Sequence, residues 1–441
     1  MQSCRMWSAL LFSCIAGIGV SAEFEQPTAV TPPSHQALAA DLAVNADGQL
    51  ALLWVDRSPM SAPVAAPGDQ GGHSGHSQHA SQDRHIALTD LYVAISRDGG
   101  EHFGEPVKVN ASAGAVWGQA VSRPRIVGTP DGAWHVSYAA NDPHPKLGKT
   151  ALTTHYTRSL DGGQTFESPR RLSTLTDQDL SDVIHGGFVS AAAFGSIAAL
   201  DDGSVVVTWI DTRHMAANSN SGALYINRSH DSGATFDGEQ QLIDSGVCPC
   251  CQVMAIDGGA GSVLIGSRAV DPNNFRAATV MRLAQKGMGS ERHDIGGAAW
   301  QIEGCPLKPT VITRSGQHVF SAVHSGGEST PGVIFSVSQD GGEQFASRGL
   351  VHPQASVSDA PAIATNGKNV ALVWHAKTTS TWAIYYQFFD LEGNAVGDIQ
   401  TINSPGSARA PVVTARPDGS YQVAWQENSR IMMMTLSAPT T

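Results

Sequence analysis

Asp41-LAVNADGQLALLW-Val55, Arg125-IVGTPDGAWHVSY-Ala139 and Gly195-SIAALDDGSVVVTW-Ile210 are three copies of one pattern. Each joins a strand of small apolar residues to a second apolar strand through an Asp-Gly turn, the shortest dependable hairpin signal. Ala362-IATNGKNVALVW-His375 and Val412-VTARPDGSYQVAW-Gln426 repeat it further along. Trp54, Trp209 and Trp425 each stand seven residues after a turn Asp, and Tyr138 holds that place in the second copy. Val253-MAIDGGAGSVLIGS-Arg268 and Thr310-VITRSGQHVFSA-Val323 are worn copies, and together the units number seven. A unit of this size cannot bury its own apolar face, so its repetition predicts one large all-β array.

A second signature, S-x-D-[GS]-G-x-x-F, follows a third strand. It reads Ser96-RDGGEHF-Gly104, Ser159-LDGGQTF-Glu167, Ser229-HDSGATF-Asp237 and Ser338-QDGGEQF-Ala346. The Asp is expected to accept from backbone N–H groups two residues on, the glycines to take the positive φ of the turn, and the Phe to fill the blade interior. Asp390-LEGN-Ala395 is a degenerate copy, and the unit around Ala278-TVMRL-Ala284 lacks one.

These four boxes resemble the Asp boxes of the sialidase-like (BNR-repeat) β-propeller superfamily, over about residues 37 to 438. The resemblance implies a seven-bladed β-propeller, with six blades, as in well-characterised sialidases, as the alternative. It also implies that the boxes lie on the periphery and are structural. The last unit has three strands and ends with Ile431-MMMTL-Ser437, so segment 23–36 is expected to supply the ring-closing strand. Closure removes the unpaired edges of an open array.

The 441 residues carry a net charge of −12, and no Lys/Arg-rich run is present. That excludes a nucleic-acid partner on electrostatic grounds. Residues 1–22 read as a signal peptide: Arg5, an apolar core from Trp7 to Val20, then Val20-Ser21-Ala22 at the cleavage positions. A lipoprotein signal ending at Cys14 is the alternative, and no run is long enough for a membrane span. The expectation is an exported protein, periplasmic or secreted, keeping Cys248, Cys250, Cys251 and Cys305.

In a propeller of this kind the first strand of each unit is innermost, and its beginning lines the axis. Arg123, Arg125, His185, Cys248 to Gln252, Cys305 to Lys308, Asp359 and Arg409 are therefore expected near one opening. Sialidases, which this chain resembles, clamp a substrate carboxylate with three arginines and use a Tyr/Glu nucleophile and an Asp acid/base. Arg123, Arg125 and Arg409 are the candidate catalytic arginines, but no Tyr/Glu pair is assignable, and Lys308 lacks the guanidinium fork. Asp211 and Arg213 read as a turn ion pair, and Tyr385 and Tyr386 as packing residues.

The cysteines carry two readings. A disulfide between Cys305 and one of Cys248, Cys250 or Cys251 would staple neighbouring inner strands, with Cys250–Cys251 the awkward pairing. A thiolate cluster would instead hold copper or zinc. The insertion 59–85 adds His73, His76, His79 and His85, at spacings that suit the same metals or a solvated loop. The expectation is ligand or soft-metal binding at the axial face without sialidase activity. The alternatives are an exo-acting sialidase, related glycoside hydrolase or lyase, and a protein-interaction scaffold with an envelope partner.

Overall fold

A computed structural model describes residues 26–57, 89–143, 150–174, 192–215, 221–285, 291–297, 299–328, 330–378, 380–403 and 406–439. The signal segment, His73, His76, His79, His85 and His185 lie outside the described residues. Every regular element among the described residues is a strand.

Twenty-eight of the thirty described strands form seven antiparallel runs of four, here called blades; Val116–Trp117 bridges blades one and two, and Trp300–Gln301 pairs with the third strand of blade four. Blade one is Ala37–Val44, Leu50–Arg57, Thr89–Ser96 and Val107–Lys108. Blade two is Arg125–Gly128, Trp134–Pro143, Thr150–Ser159 and Arg170–Arg171. Blade three is Ala192–Ala199, Val205–Asp211, Gly222–Ser229 and Gln240–Val247. Blade four is Met254–Gly259, Ser262–Val270, Phe275–Leu283 and His293–Asp294. Blade five is Thr310–Ser315, His318–Ser325, Gly332–Ser338 and Ala346–Leu350. Blade six is Val357–Thr365, Val370–Lys377, Ala383–Phe389 and Ala395–Thr401.

Blade seven takes Arg409–Ala415, Tyr421–Glu427 and Arg430–Leu436 from the C-terminal end of the chain. Thr28–Ala29 supplies its fourth strand, pairing Thr28 with Met433 and Ala29 with Met432. The first strands of successive blades are neighbours, and that of blade seven adjoins that of blade one, so the circuit closes.

The core is a set of layers between blades, because each blade is apolar on both faces. Trp54, Trp209, Trp374 and Trp425 are fully buried at the fifth position of their second strands. Trp54 stacks on Tyr92, Trp209 on Tyr225 and Trp374 on Tyr385, with ring centroids 5.9, 6.0 and 6.2 Å apart. Each pair is a directly opposed cross-strand pair, the natural unit of sheet stabilisation.

The four S-x-D turns share one hydrogen-bond scheme, which differs from the expected one. The Asp accepts from the N–H four residues on, not two: His102 to Asp98, Thr165 to Asp161, Thr235 to Asp231 and Gln344 to Asp340. The Ser hydroxyl donates to its Asp and accepts from the Gly N–H four residues on, as in Gly233 to Ser229 at 2.8 Å. Hydrogen bonds within the turn hold all four carboxylates below their ordinary range. They are committed to the turn.

Candidate functional site

A cavity of about 370 Å³ lies where the inner strands begin. Its lining includes Asp41 from blade one, Arg123 and Arg125 from the approach to blade two, and Gln252 and Met254 at blade four. Lys308 precedes blade five, Asp359 and His375 come from blade six, and Arg409 opens blade seven. Of the residues that strand order placed near one opening, Arg123, Arg125, Gln252, Leu307, Lys308, Asp359 and Arg409 line this cavity, Cys248, Cys250, Cys251 and Cys305 do not, and His185 is undescribed.

A recurring β-bulge aims several of these side chains. The register slips after Leu38, Ala193, Asp359 and Arg409, each in a first strand. Just beyond, Ala39, Phe194, Ala360 and Ala410 have φ between 46° and 53°. Such φ values are uncommon for residues with a Cβ. A bulge turns its neighbours out of the regular alternation, which here presents Asp41, Asp359 and Arg409 to the axis.

The Arg123 guanidinium spans three blades through backbone carbonyls: Ala40 at 3.3 Å, Ala120 at 3.3 Å and Pro411 at 3.5 Å. Its backbone is clamped by Gln252, which accepts from Arg123 N at 3.2 Å and donates to Arg123 O at 2.7 Å. Burial pulls the Arg123 pKa down to about 10, and the Arg125 charge adds to that. Arg409 is exposed and rests over the Trp382 ring at 5.3 Å. Among the described residues neither Arg123 nor Arg409 has a carboxylate within ion-pair distance. Arg125 does, with Nη1 at 3.4 Å from Asp41.

Asp41 accepts from Ile126 N at 3.0 Å, and burial raises its carboxyl above the ordinary range despite the two arginines. Asp359 is shared by three cationic or potentially cationic groups. Lys308 bonds it directly, His324 lies at 3.6 Å and His375 at 4.0 Å. Burial would raise the Asp359 pKa, but Lys308 and the two imidazoles outweigh it and lower it. His375 Nδ1 accepts from Ala410 N at 3.1 Å, so its neutral form carries the proton on Nε2, toward Asp359. Burial pushes its pKa down to about 4. The Nδ1 lone pair is taken by the Ala410 N–H, which leaves the ring a positioning group and not a free base.

The charges therefore do not cancel. Lys308 neutralises Asp359 and Arg125 faces Asp41, while Arg123 and Arg409 remain for an anion. No Tyr or Glu stands among the described lining residues.

The cysteines stand behind this wall. Cys250 and Cys305 are joined in a disulfide with Cα atoms 6.1 Å apart, linking the approaches to blades four and five. Cys248 and Cys251 are free, fully buried thiols with Sγ atoms 2.7 Å apart. The three sulfurs of Cys248, Cys250 and Cys251 lie within 4.8 Å of one another. Disulfide formation removes two of the four thiolates that a four-sulfur metal site would use. No cysteine lines the cavity, although Gln252 and Lys308 do.

Asp211 and Arg213 pair at 2.6 Å, with Glu239 adding a second carboxylate at 2.7 Å, in blade three. Tyr385 and Tyr386 are buried. Sequence reasoning missed Asp41, His375 and Trp382. The one legible signal was Asp359-Ala-Pro361 and Arg409-Ala-Pro411, a repeated X-Ala-Pro at the head of two first strands. Proline inside a strand pattern marks a bulge.

The fold is a β-propeller similar to those of a solved sialidase and a solved polysaccharide lyase. Two solved structures with this fold are a Hadza microbial sialidase, Hz136, and an ulvan lyase bound to -[GlcA(1-4)Rha3S]-. The sialidase is 14% identical with a TM-score of 0.50, over 79% of this chain and 73% of its own. The lyase, described as a new family of polysaccharide lyase, is 13% identical with a TM-score of 0.55, over 94% of each chain. A protein of unknown function from Dyadobacter fermentans matches over 94% of this chain and 99% of its own, at 12% identity and a TM-score of 0.50. No protein-family model and no curated protein matches the chain.

Proposed function

We propose that this protein is an exported propeller that binds an acidic saccharide, carrying a carboxylate or sulfate, in its axial cavity. One observation carries the reading: Arg123 and Arg409 reach the same cavity without a carboxylate partner among the described residues. Guanidinium forks match planar or tetrahedral oxyanions and hold them by charge-assisted hydrogen bonds. The volume suits one or two sugar units. The ulvan lyase with the same fold holds a glucuronate-containing chain, which supports the ligand class.

Hydrolysis by the sialidase route is not part of the proposal, because the described cavity wall lacks a Tyr/Glu nucleophile. Hydrolase or lyase chemistry is the second reading, favoured by Asp41, whose raised pKa suits a proton donor beside two arginines. Copper or zinc at the cysteine cluster would have to use Cys248 and Cys251 alone, or all four sulfurs after reduction of Cys250–Cys305, while His73, His76, His79 and His85 are a separate candidate set. Metal analysis of the purified protein decides that point. An array of neutral, uronate-bearing and sulfated glycans tests the main reading. Binding confined to acidic glycans is expected, and binding to none of them, or to neutral ones alike, overturns it.

A further inference from the structure

Sequence alone makes Cys248-Pro-Cys-Cys251 a C-x-x-C motif with a third cysteine inside it. The inner cysteine, Cys250, is spent on Cys305, and this leaves the outer pair facing each other. Their sulfurs are about 0.7 Å beyond the S–S bond length of about 2.05 Å, so closure needs little movement.

Two further observations give the pair a chemistry. Arg268, on the second strand of blade four, is wholly buried, packed over Trp300 at 4.7 Å. Its Nε and Nη2 donate to the carbonyls of Lys308 and His324 at 3.1 and 3.0 Å. Its Nη1 is buried with no hydrogen-bond partner, and among the described residues no carboxylate pairs with it. A buried cation without an anion is costly. The Cys248 N–H donates to the Arg268 carbonyl at 2.8 Å, and Cys251 followed by Cys248 are the anionic groups that act most on the guanidinium, so a Cys251 thiolate would supply the missing counter-charge. The second observation is location. Gln252, next to Cys251 in the chain, and Lys308 both line the axial cavity. Cys251 itself is buried behind that wall, one residue from it along the chain.

We propose that Cys248 and Cys251 form a two-electron redox site for a small peroxide, with Cys251 as the attacking thiolate and Cys248 as the resolving thiol. Cys251 Sγ attacks one peroxide oxygen, the O–O bond breaks, and hydroxide leaves, giving a sulfenic acid at Cys251. Cys248 Sγ then attacks Cys251 Sγ, the S–O bond breaks, and the departing hydroxide takes the Cys248 proton as water. The two sulfurs lose two electrons and the peroxide gains them. Cys250–Cys305 keeps the two chain segments in place throughout. The site is independent of what the cavity binds.

The test is intact-mass spectrometry of the protein comprising residues 23–441, which lacks Cys4 and Cys14, with free thiols alkylated under denaturing conditions, before and after one equivalent of hydrogen peroxide. The expected result is two alkylatable thiols before treatment and none after, with the mass falling by about 2 Da. Cys248→Ser should stop at a sulfenic acid on Cys251, about 16 Da heavier and captured by dimedone. Cys251→Ser should not react, and Arg268→Met should slow the reaction about tenfold or more while Arg268→Lys retains most of the rate. If the protein is purified with Cys248–Cys251 already closed, dithiothreitol should reopen it in the folded state with Cys250–Cys305 intact. Thiols that react only after unfolding, a Cys248–Cys251 bond that cannot be reopened in the folded protein, or thiols released only by removing a bound metal would each overturn the proposal.

Discussion

Replacing both Cys250 and Cys305 with alanine removes the staple without leaving a stray thiol to capture Cys248. The bond closes a loop with a sequence separation of 55. In the chain-entropy account, a loop of that size restricts the unfolded chain by about 14 cal/mol/K, or about 4 kcal/mol at room temperature. Spread over a ring of roughly 400 residues, with an unfolding entropy of about 2.1 cal/mol/K per residue, that loss corresponds to a fall of about 5 °C in Tm. Calorimetry of wild type and double variant, each with and without reductant, reads it directly. Reductant strong enough to open Cys250–Cys305, beyond the mild dithiothreitol that reopens Cys248–Cys251, should move the wild type toward the variant and shift the variant less. A variant that melts within about 1 °C of wild type, or a reductant effect equally large in the variant, would refute the staple.

Three further outcomes are expected. Ser229→Ala leaves the buried Gly233 N–H without its acceptor and should cost about 1–3 kcal/mol in denaturant unfolding; a change below about 0.5 kcal/mol would show that the turn is not held as described. His135 and His375, both pushed down to about 4 by burial, bind protons in the unfolded state before the folded one. Stability is therefore fully present above about pH 6.5 and lost as pH falls toward 4, by up to roughly 1.4 kcal/mol per pH unit for each imidazole; denaturant midpoints flat across that range would contradict this. Purified protein should release no fluorophore from a 4-methylumbelliferyl sialoside, and turnover that disappears in Arg123→Ala or Arg409→Ala would restore the sialidase reading.

The parts of the fold that were legible are those fixed by local chemistry. A D-G hairpin needs glycine at a positive φ, and the S-x-D turn needs a short hydroxyl and a carboxylate at fixed offsets, so both recur as letters. The second-strand Trp recurs in blades one, three, six and seven, where it fills the layer between blades. Blade four keeps Asp257-Gly258 but lacks the S-x-D turn and the second-strand Trp, so it was legible mainly by its spacing between better copies. At the site, Arg123, Arg125, Lys308, Asp359 and Arg409 were found because strand order alone places them at the axis. Asp41 and His375 were not, because a bulge and a strand end carry them inward against the simple alternation. Arg268 was missed for a different reason: a lone Arg in a strand reads as a solvent-facing residue, and only its packing reveals a buried cation among sulfurs.

The central claim is that the axial cavity selects an acidic sugar through arginines without carboxylate partners. Titration calorimetry with a glucuronate-containing disaccharide and its neutral glucose counterpart, against wild type and Arg409→Met, tests it most directly, since exposed Arg409 is replaced without disturbing the core. The account predicts at least tenfold tighter binding of the acidic sugar. It also predicts a loss of about 10- to 100-fold in Arg409→Met, the equivalent of one charge-assisted hydrogen-bonded contact. Equal affinity for the two sugars, or acidic-sugar binding that Arg409→Met leaves unchanged, would contradict it.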